Sequence, residues 1–253
     1  MADKKLSEVT KVTDMAYVPV ILSDGSVGQI AKADLATVVA GLSPINAAIQ
    51  DGVFIMFHRL SDNYPLMVKP HKWASYQNSG EIADGVVIVE GGKILVVAPT
   101  EASTTLTWSS AAISGGGTTT SDRVTAMNDW NGKANTASQI SKSSSTAVTN
   151  TASYAPGFCN LYSRANSNGY GLTAGKWWLP SLGEMMMIYA NMTKINYALS
   201  LIEGATALQE TAYWTSTEYS ATSAWNLNLD DGAGGSPKAS NTYRVRAVSA
   251  FIS

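Results

Sequence analysis

The sequence predicts an α+β protein on three observations. Two apolar runs, residues 86–89 and 94–97, flank Glu90-Gly91-Gly92-Lys93, which is the pattern of a β-hairpin. Ser181 and Glu184 precede Met185, Ile188, Tyr189, Met192, Ile195 and Leu199 at helical spacing, a capping box in front of an amphipathic helix. Trp225, Leu227 and Leu229 alternate with Asn226, Asn228 and Asp230, the period-two signature of a strand with one face inward.

From the amino terminus, residues 17–22 read as a strand and Asp24-Gly25 as a hairpin turn, because a type I′ turn needs positive φ at both central residues. Residues 27–30 form the return strand. Leu35, Val38, Val39 and Leu42 then recur at helical spacing, with Gly41 near the end. This unit, residues 1–45, has too few apolar positions to be stable alone and is expected to associate with something. Pro44 marks its boundary. Residues 46–82 read as a connector holding an apolar strand candidate at 53–57 and a stretch punctuated by Pro65 and Pro70. A third segment, 83–253, opens with the hairpin. Residues 114–120 read as a flexible loop, and a short helix from Asp122 is expected to bury Val124, Met127 and Trp130. Residues 134–155, rich in Ser, Thr, Ala and Asn, read as a surface excursion. The capped helix stops at Gly204. Residues 212–230 and 243–252 read as strands, with a long flexible loop at 231–237 between them.

The composition excludes several function classes. The 253 residues are 45% hydrophobic, enough for a real core, and only 14% charged, with a net charge of −2. No Lys/Arg cluster with interleaved aromatics points to nucleic acid. No apolar run approaches the roughly 18 residues of a membrane helix, so no membrane insertion is expected. The first residues carry no signal-peptide core, which predicts assembly in a cytoplasm. One cysteine, Cys159, rules out an intrachain disulfide.

The candidate chemistry is sparse. His58 lies in an apolar strand candidate and His71 follows Pro70; nothing in the sequence pairs either with a carboxylate for acid–base work, so structural roles are expected. Cys159, set among Phe158, Leu161 and Tyr162, reads as a packed thiol rather than a nucleophile. Asp129, Asp230 and Asp231 could in principle offer oxygen ligands to calcium, but a solvated acidic turn is the expectation. Gly115-Gly116-Gly117 lacks the Lys-Ser/Thr of a phosphate-binding loop. Trp177, Trp178, Trp214 and Trp225 could stack on sugars, although core packing is expected for most of them. No cofactor, no metal and no catalytic residue is assigned.

The ordered string Trp177-Trp178-Leu179-Pro180-Ser181, Tyr213-Trp214-Thr215-Ser216-Thr217-Glu218, Ala224-Trp225 and Arg244-Val245-Arg246-Ala247-Val248 resembles the C-type-lectin-like domains of gut Bacteroidales and their phages, including variable proteins of diversity-generating retroelements. The resemblance covers about residues 83–253. The calcium-dependent sugar motifs of C-type lectins are missing: Trp225-Asn226-Leu227 begins like one but lacks its Asp. Residues 1–42, with Lys5-Leu6-Ser7-Glu8 and Ile30-Ala31-Lys32-Ala33-Asp34-Leu35, resemble the amino-terminal segment of phage fibre and structural proteins.

The resemblance implies a virion-associated receptor-binding protein, a fibre or adhesin. Residues 1–45 would engage virion structural proteins, and a homo-oligomer, by analogy a trimer, would contact a host-surface protein or glycan. The implied ligand-binding residues are Tyr219, Ser223, Asn226, Asn228, Asp230, Asp231, Ala233, Gly234, Ser236 and Tyr243. Most of them are reachable from asparagine codons by the adenine-directed changes of the retroelement family, as are Gly235, Pro237 and Ser240; small polar residues in any loop look the same. Asn226, Asn228 and Asp230 are expected to be exposed and, with Tyr219, Ser223, Asp231 and Tyr243, to form one contiguous patch. Two alternatives stay open: a capsid or tail component without external ligand, and an enzyme on the same fold.

Overall fold

The computed structural model describes residues 17–21, 27–31, 50–142 and 149–251. The chain divides into two units, Met1–Gln50 and Asp51–Ser253. In the first, β1 (Tyr17–Ile21) and β2 (Val27–Ala31) pair antiparallel, with Ile21 opposite Val27. The Asp24-Gly25 turn and the helix expected over 35–42 lie outside the described residues.

The second unit runs β3 (Gly52–His58), β4 (Pro65–Val68), a 3-10 turn (Pro70–Lys72), α1 (Trp73–Asn78), β5 (Ala83–Glu90), β6 (Lys93–Val97), β7 (Leu106–Thr107) and α2 (Arg123–Met127). It continues through α3 (Gly132–Lys142), α4 (Ala155–Leu161), β8 (Arg164–Ala165), β9 (Gly171–Leu172), α5 (Leu182–Ala190) and α6 (Met192–Ser200). It ends with β10 (Ala212–Glu218), β11 (Ser223–Asn228), β12 (Gly232–Pro237), β13 (Thr242–Tyr243) and β14 (Val248–Ser249). The architecture is α+β, as the sequence predicts.

Five strands form an antiparallel sheet in the order β14-β6-β5-β3-β4. This corrects the reading of 46–82 as a connector and of 83 as a domain start: β3 lies inside the sheet, paired with β5 on one side and β4 on the other. Pro65 misled the sequence reading because it breaks ladders in central strands; here it is the first residue of an edge strand, where its missing N–H costs nothing. The β5–β6 turn is as expected, with Gly91 and Gly92 both at positive φ (55° and 76°).

The core packs Ile55, Phe57, Val86, Ile88, Leu95 and Val97 of this sheet against Leu182, Met185, Ile188, Ile195 and Leu199 of the helix pair. On the other side of the helices stand Tyr213, Trp225, Leu227 and Leu229, from a second sheet and its edge. Each such side chain contributes about 1.5–3 kcal/mol by leaving water. The capping box forms as read: Glu184 N donates to Ser181 Oγ at 3.4 Å and Ser181 N to Glu184 Oε2 at 2.9 Å. The single helix expected through Leu199 is two, however. Asn191, at φ −110° and ψ 10°, ends α5, and its Nδ2 donates to Met187 O and to Glu90.

Three further expectations are corrected. In α2 only Ala126 is fully buried; Met127 is half-buried against the core as expected, but Val124 is 68% exposed and Trp130, past the helix, borders solvent. The surface excursion at 134–155 holds most of α3 and the start of α4. The inner face of α3 is Asn135, Thr136 and Gln139, so its burial is carried by hydrogen bonds and leaves no apolar period. The flexible loop at 231–237 is mostly β12, paired along β11 from Asn228↔Gly232 to Ser223↔Pro237.

Candidate functional site

Strands β10, β11 and β12 pair antiparallel in that order. Opposite partners share a face, so Tyr213, Leu227 and Ala233 stand together, as do Trp214, Asn226 and Gly234. The first face enters the core: Trp225, Leu227 and Leu229 are buried, as the alternation requires. The second face is not solvent. Asn226 is 7% exposed, which overturns the expectation that it is displayed, and Ser236, named for ligand binding, is 8% exposed. Asn226 Nδ2 donates to Gly234 O (2.9 Å) and Ser236 Oγ (3.0 Å). Ser236 Oγ meets the Tyr243 hydroxyl at 2.9 Å, and Asn241 Nδ2 donates to that hydroxyl at 3.0 Å. The Tyr243 ring meets Trp214 edge-on at 4.6 Å between centroids. The returning segment around β13 thus covers the face that period-two reasoning assigned to water.

The other predicted residues fall into two places. Tyr219, 38% exposed, lies edge-on to Trp225 (5.1 Å) and over Gly235, where a Cβ would come within 2.7 Å of the ring. Half-buried Ser223 is beside it, its carbonyl accepting from Tyr219 N at 3.0 Å. Asn228, Ala233 and Gly234 are half-buried, and Asp230 and Asp231 exposed, toward the opposite end of the hairpin. Five residue steps of extended β11 separate Ser223 from Asn228, about 17 Å at strand spacing. One contiguous patch of the whole set is therefore overturned.

Three buried polar clusters hold this sheet. At the end of β10, Glu218 and Lys238 form an ion pair in which both side chains are 0% exposed. Lys238 Nζ also donates to Ile113 O (2.8 Å) and Ala221 O (3.0 Å) and lies 4.5 Å from the Trp108 ring centre. Burial pulls the Lys238 ammonium below its ordinary range, opposed by Glu218. The glycine loop read as flexible is pinned here: Gly115 N (2.8 Å) and Gly117 N (3.1 Å) donate to the Glu218 carboxylate, a backbone cradle for an internal anion.

In mid-strand, the β10 register shifts between Trp214 and Glu218. This bulge turns Thr217 Oγ onto Asp129 Oδ2 at 2.8 Å. Asp129 also accepts from Asn135 Nδ2 (2.9 Å) and Asn131 N (3.0 Å), and its carbonyl accepts from Ser181 Oγ (2.6 Å). Beside it, burial pushes the Glu184 carboxyl up to about 7. At the start of β10, Glu101 accepts from Tyr213 OH (2.8 Å), Arg246 Nη2 (3.1 Å) and Arg244 Nη1. Burial pushes the Tyr213 phenol up to about 12.

A cavity of about 580 Å³ opens beside this third cluster. Its walls include Thr105, Glu210, Thr211, Thr242, Tyr243 and Arg244. Thr211 O accepts from Leu229 N at 3.1 Å, and Ala212, also on the wall, pairs with Asn228. Of the predicted residues, Tyr243 is on the cleft wall, and Asn228 is joined to it through its pairing with Ala212. Tyr219 and Ser223 are not.

Other chemistry is accounted for. Cys159 is buried and burial pushes its thiol well above the ordinary range, which suits packing and not nucleophilic attack. His58 does have a carboxylate partner, missed in the sequence: its Nδ1 lies 2.5 Å from Asp84 Oδ2, both residues buried, and burial pushes the Asp84 carboxyl up. Among the described residues no group of three or more His, Cys, Asp or Glu could hold a metal ion. Sequence reading also missed Asp129, Glu101, Glu218 and Lys238 as anchors. Glu218 had a signal, an acid inside a segment read as strand; Asp84 lies just ahead of the apolar run 86–89 and had none.

No family model matches the chain, and no curated protein matches its sequence. Among solved structures, a fimbrial protein from Bacteroides ovatus ATCC 8483 superposes with a TM-score of 0.47 at 16% identity, over 62% of this chain and 35% of that one. The chain thus spans about a third of that neighbour's length. No helix among the described residues is long and apolar enough to cross a membrane.

Proposed function

We propose that this chain is a non-catalytic receptor-binding protein of a phage virion, a fibre or adhesin subunit on a C-type-lectin-like scaffold. Residues 1–45 join it to virion structural proteins and to its own copies, as a trimer. The second unit, Asp51–Ser253, carries the recognition surface, directed at a host-surface protein or glycan. The sequence resemblance supplies the virion context. The observation that carries the binding role is the cleft beside Tyr243 and Arg244, with the exposed turn at Asp230 and Asp231 nearby. A concave, polar-walled site on a backbone held by three buried polar clusters binds with little ordering cost. The side chains toward the Tyr219 end form a second, separate contact region.

One observation favours a second reading, a tail or capsid component without external ligand: the predicted contact set is divided between two ends of the β11–β12 hairpin. A single pair of measurements separates the two. Antibody against the full chain should label intact particles in electron microscopy, and saturating purified protein should block particle adsorption to host cells. Labelling without blocking favours the structural component. No labelling refutes the virion assignment.

A further inference from the structure

We propose that the cleft beside β13 is a subsite for an acidic saccharide, with Arg244 as the residue that receives the sugar carboxylate; this rests on the reading of the chain as a receptor-binding protein. Arg244 is fixed at both ends. Its backbone N donates to Ala212 O (3.1 Å) and its carbonyl accepts from Trp214 N (3.0 Å). Its Nη1 is held by Glu101. Its Nε and Nη2 have no acceptor among the described residues, and the side chain is 36% exposed on the cleft wall. A guanidinium held by one nitrogen presents the other edge as a preoriented fork, and two parallel N–H donors match a carboxylate.

The charge balance points the same way. Glu101 is the carboxylate partner of Arg244 and of Arg246, so two guanidiniums share one negative charge and the cluster keeps a positive excess. The rest of the wall suits a polyol. The hydroxyls of Thr105, Thr211 and Thr242 make no hydrogen bond among the described residues, and each can both donate and accept. Tyr243 supplies a rigid apolar side, its ring set against Trp214 and its hydroxyl taken by Ser236 and Asn241. The volume of about 580 Å³ lies within the roughly 300–1,000 Å³ of small-ligand sites. Glu210, exposed on the cleft wall, opposes an anion, as do Asp230 and Asp231 of the nearby turn. That opposition makes a prediction of definite sign possible.

Binding of the full-length chain should be measured by calorimetry with four probes: 3′-sialyllactose, trigalacturonate, and the methyl esters of both, which keep shape and hydroxyls and lose the charge. The two acids separate a sialate from a hexuronate source. At least one acid should bind about tenfold tighter than its ester. Arg244→Lys, which keeps the charge against Glu101 but loses the fork, should weaken that acid about tenfold. Glu210→Gln, a rim change that leaves the fold alone, should strengthen it about twofold or more. Equal binding of acid and ester, no binding of any probe, or no gain from Glu210→Gln overturns the proposal. If those results come from a chain that still blocks particle adsorption, the receptor-binding reading stands and only the acidic-saccharide subsite fails.

Discussion

Lys238→Met should be among the most destabilising single changes in the second unit. The ammonium and the Glu218 carboxylate are both fully buried. Removing the cation leaves Glu218 with only the Gly115 and Gly117 amides as charge-compensating partners, at 2.8 and 3.1 Å, and frees the carbonyls of Ile113 and Ala221. Breaking a buried ion pair from one side costs about 3–5 kcal/mol, because the remaining charge is uncompensated in a low-dielectric site. At about 2–4 °C per kcal/mol for a domain of this size, the melting temperature should fall by roughly 6–20 °C. The double variant Glu218→Gln, Lys238→Met should recover part of that loss, because no charge is left to desolvate, but not all of it: the two glycine amides donate to different carboxylate oxygens, and the amide keeps only one of them as an acceptor. The assay is urea unfolding of the full chain at pH 7, followed by tryptophan fluorescence. A loss below about 1 kcal/mol for the single variant, or no recovery in the double, would refute the claim that this pair pins the sheet end.

Three other outcomes are expected. Trp225→Ala should cost about 3–5 kcal/mol by opening a cavity between the helix pair and the second sheet, visible as a lower urea midpoint. Gly235→Ala should cost about 1–3 kcal/mol because its methyl meets the Tyr219 ring, and Tyr219→Ala should relieve most of that cost if the ring is the obstacle. Glu184 gives the chain a pH dependence: its carboxyl loses a proton near 4.5 when unfolded but near 7 when folded. Its contribution is full below pH 4.5 and is lost as pH rises through 7, about 2.5 pH units in all, or roughly 3 kcal/mol. Glu184→Gln should flatten stability between pH 5 and 8, and an unchanged slope would assign the dependence to another group.

Local signals carried much of the fold. The Gly91-Gly92 turn, the Ser181–Glu184 box and the inward set Trp225, Leu227 and Leu229 depend on neighbours within a few residues, and each forms as read. What the sequence hid was long-range polar burial. In α3 the inner face is Asn135, Thr136 and Gln139, which hydrogen-bond to Asp129, Leu179 and Ser216, groups up to 77 residues away. A hydrophobicity pattern has no entry point to such a helix. The same cause misplaced Asn226: alternation identifies two faces of a strand but not what covers the second, and here the segment that carries Tyr243 does. Gly232, Gly234 and Gly235 read as a flexible loop because glycine is the residue of loops. In β12 the glycine at 235 instead makes room for the Tyr219 ring.

The three polar clusters divide the chemistry of the second sheet between holding and display. Asp129 holds β10 in its middle through Thr217, Glu218 and Lys238 hold its end, and Glu101 holds its start through Tyr213 and Arg244. Each reaches a segment remote in sequence, so the positions of the turns at 219–222 and 229–231 are set by groups that those turns do not contain. Exposed side chains on such turns are energetically separable from the fold, and substitutions there usually move stability within about 0.5 kcal/mol. Asp230 and Asp231 belong to that freely variable class. Asn226 and Ser236 do not, because each would leave a buried partner unsatisfied. A scaffold that changes its contacts by substitution therefore has its freedom at the strand ends and around the cleft, and the middle of β11 stays fixed.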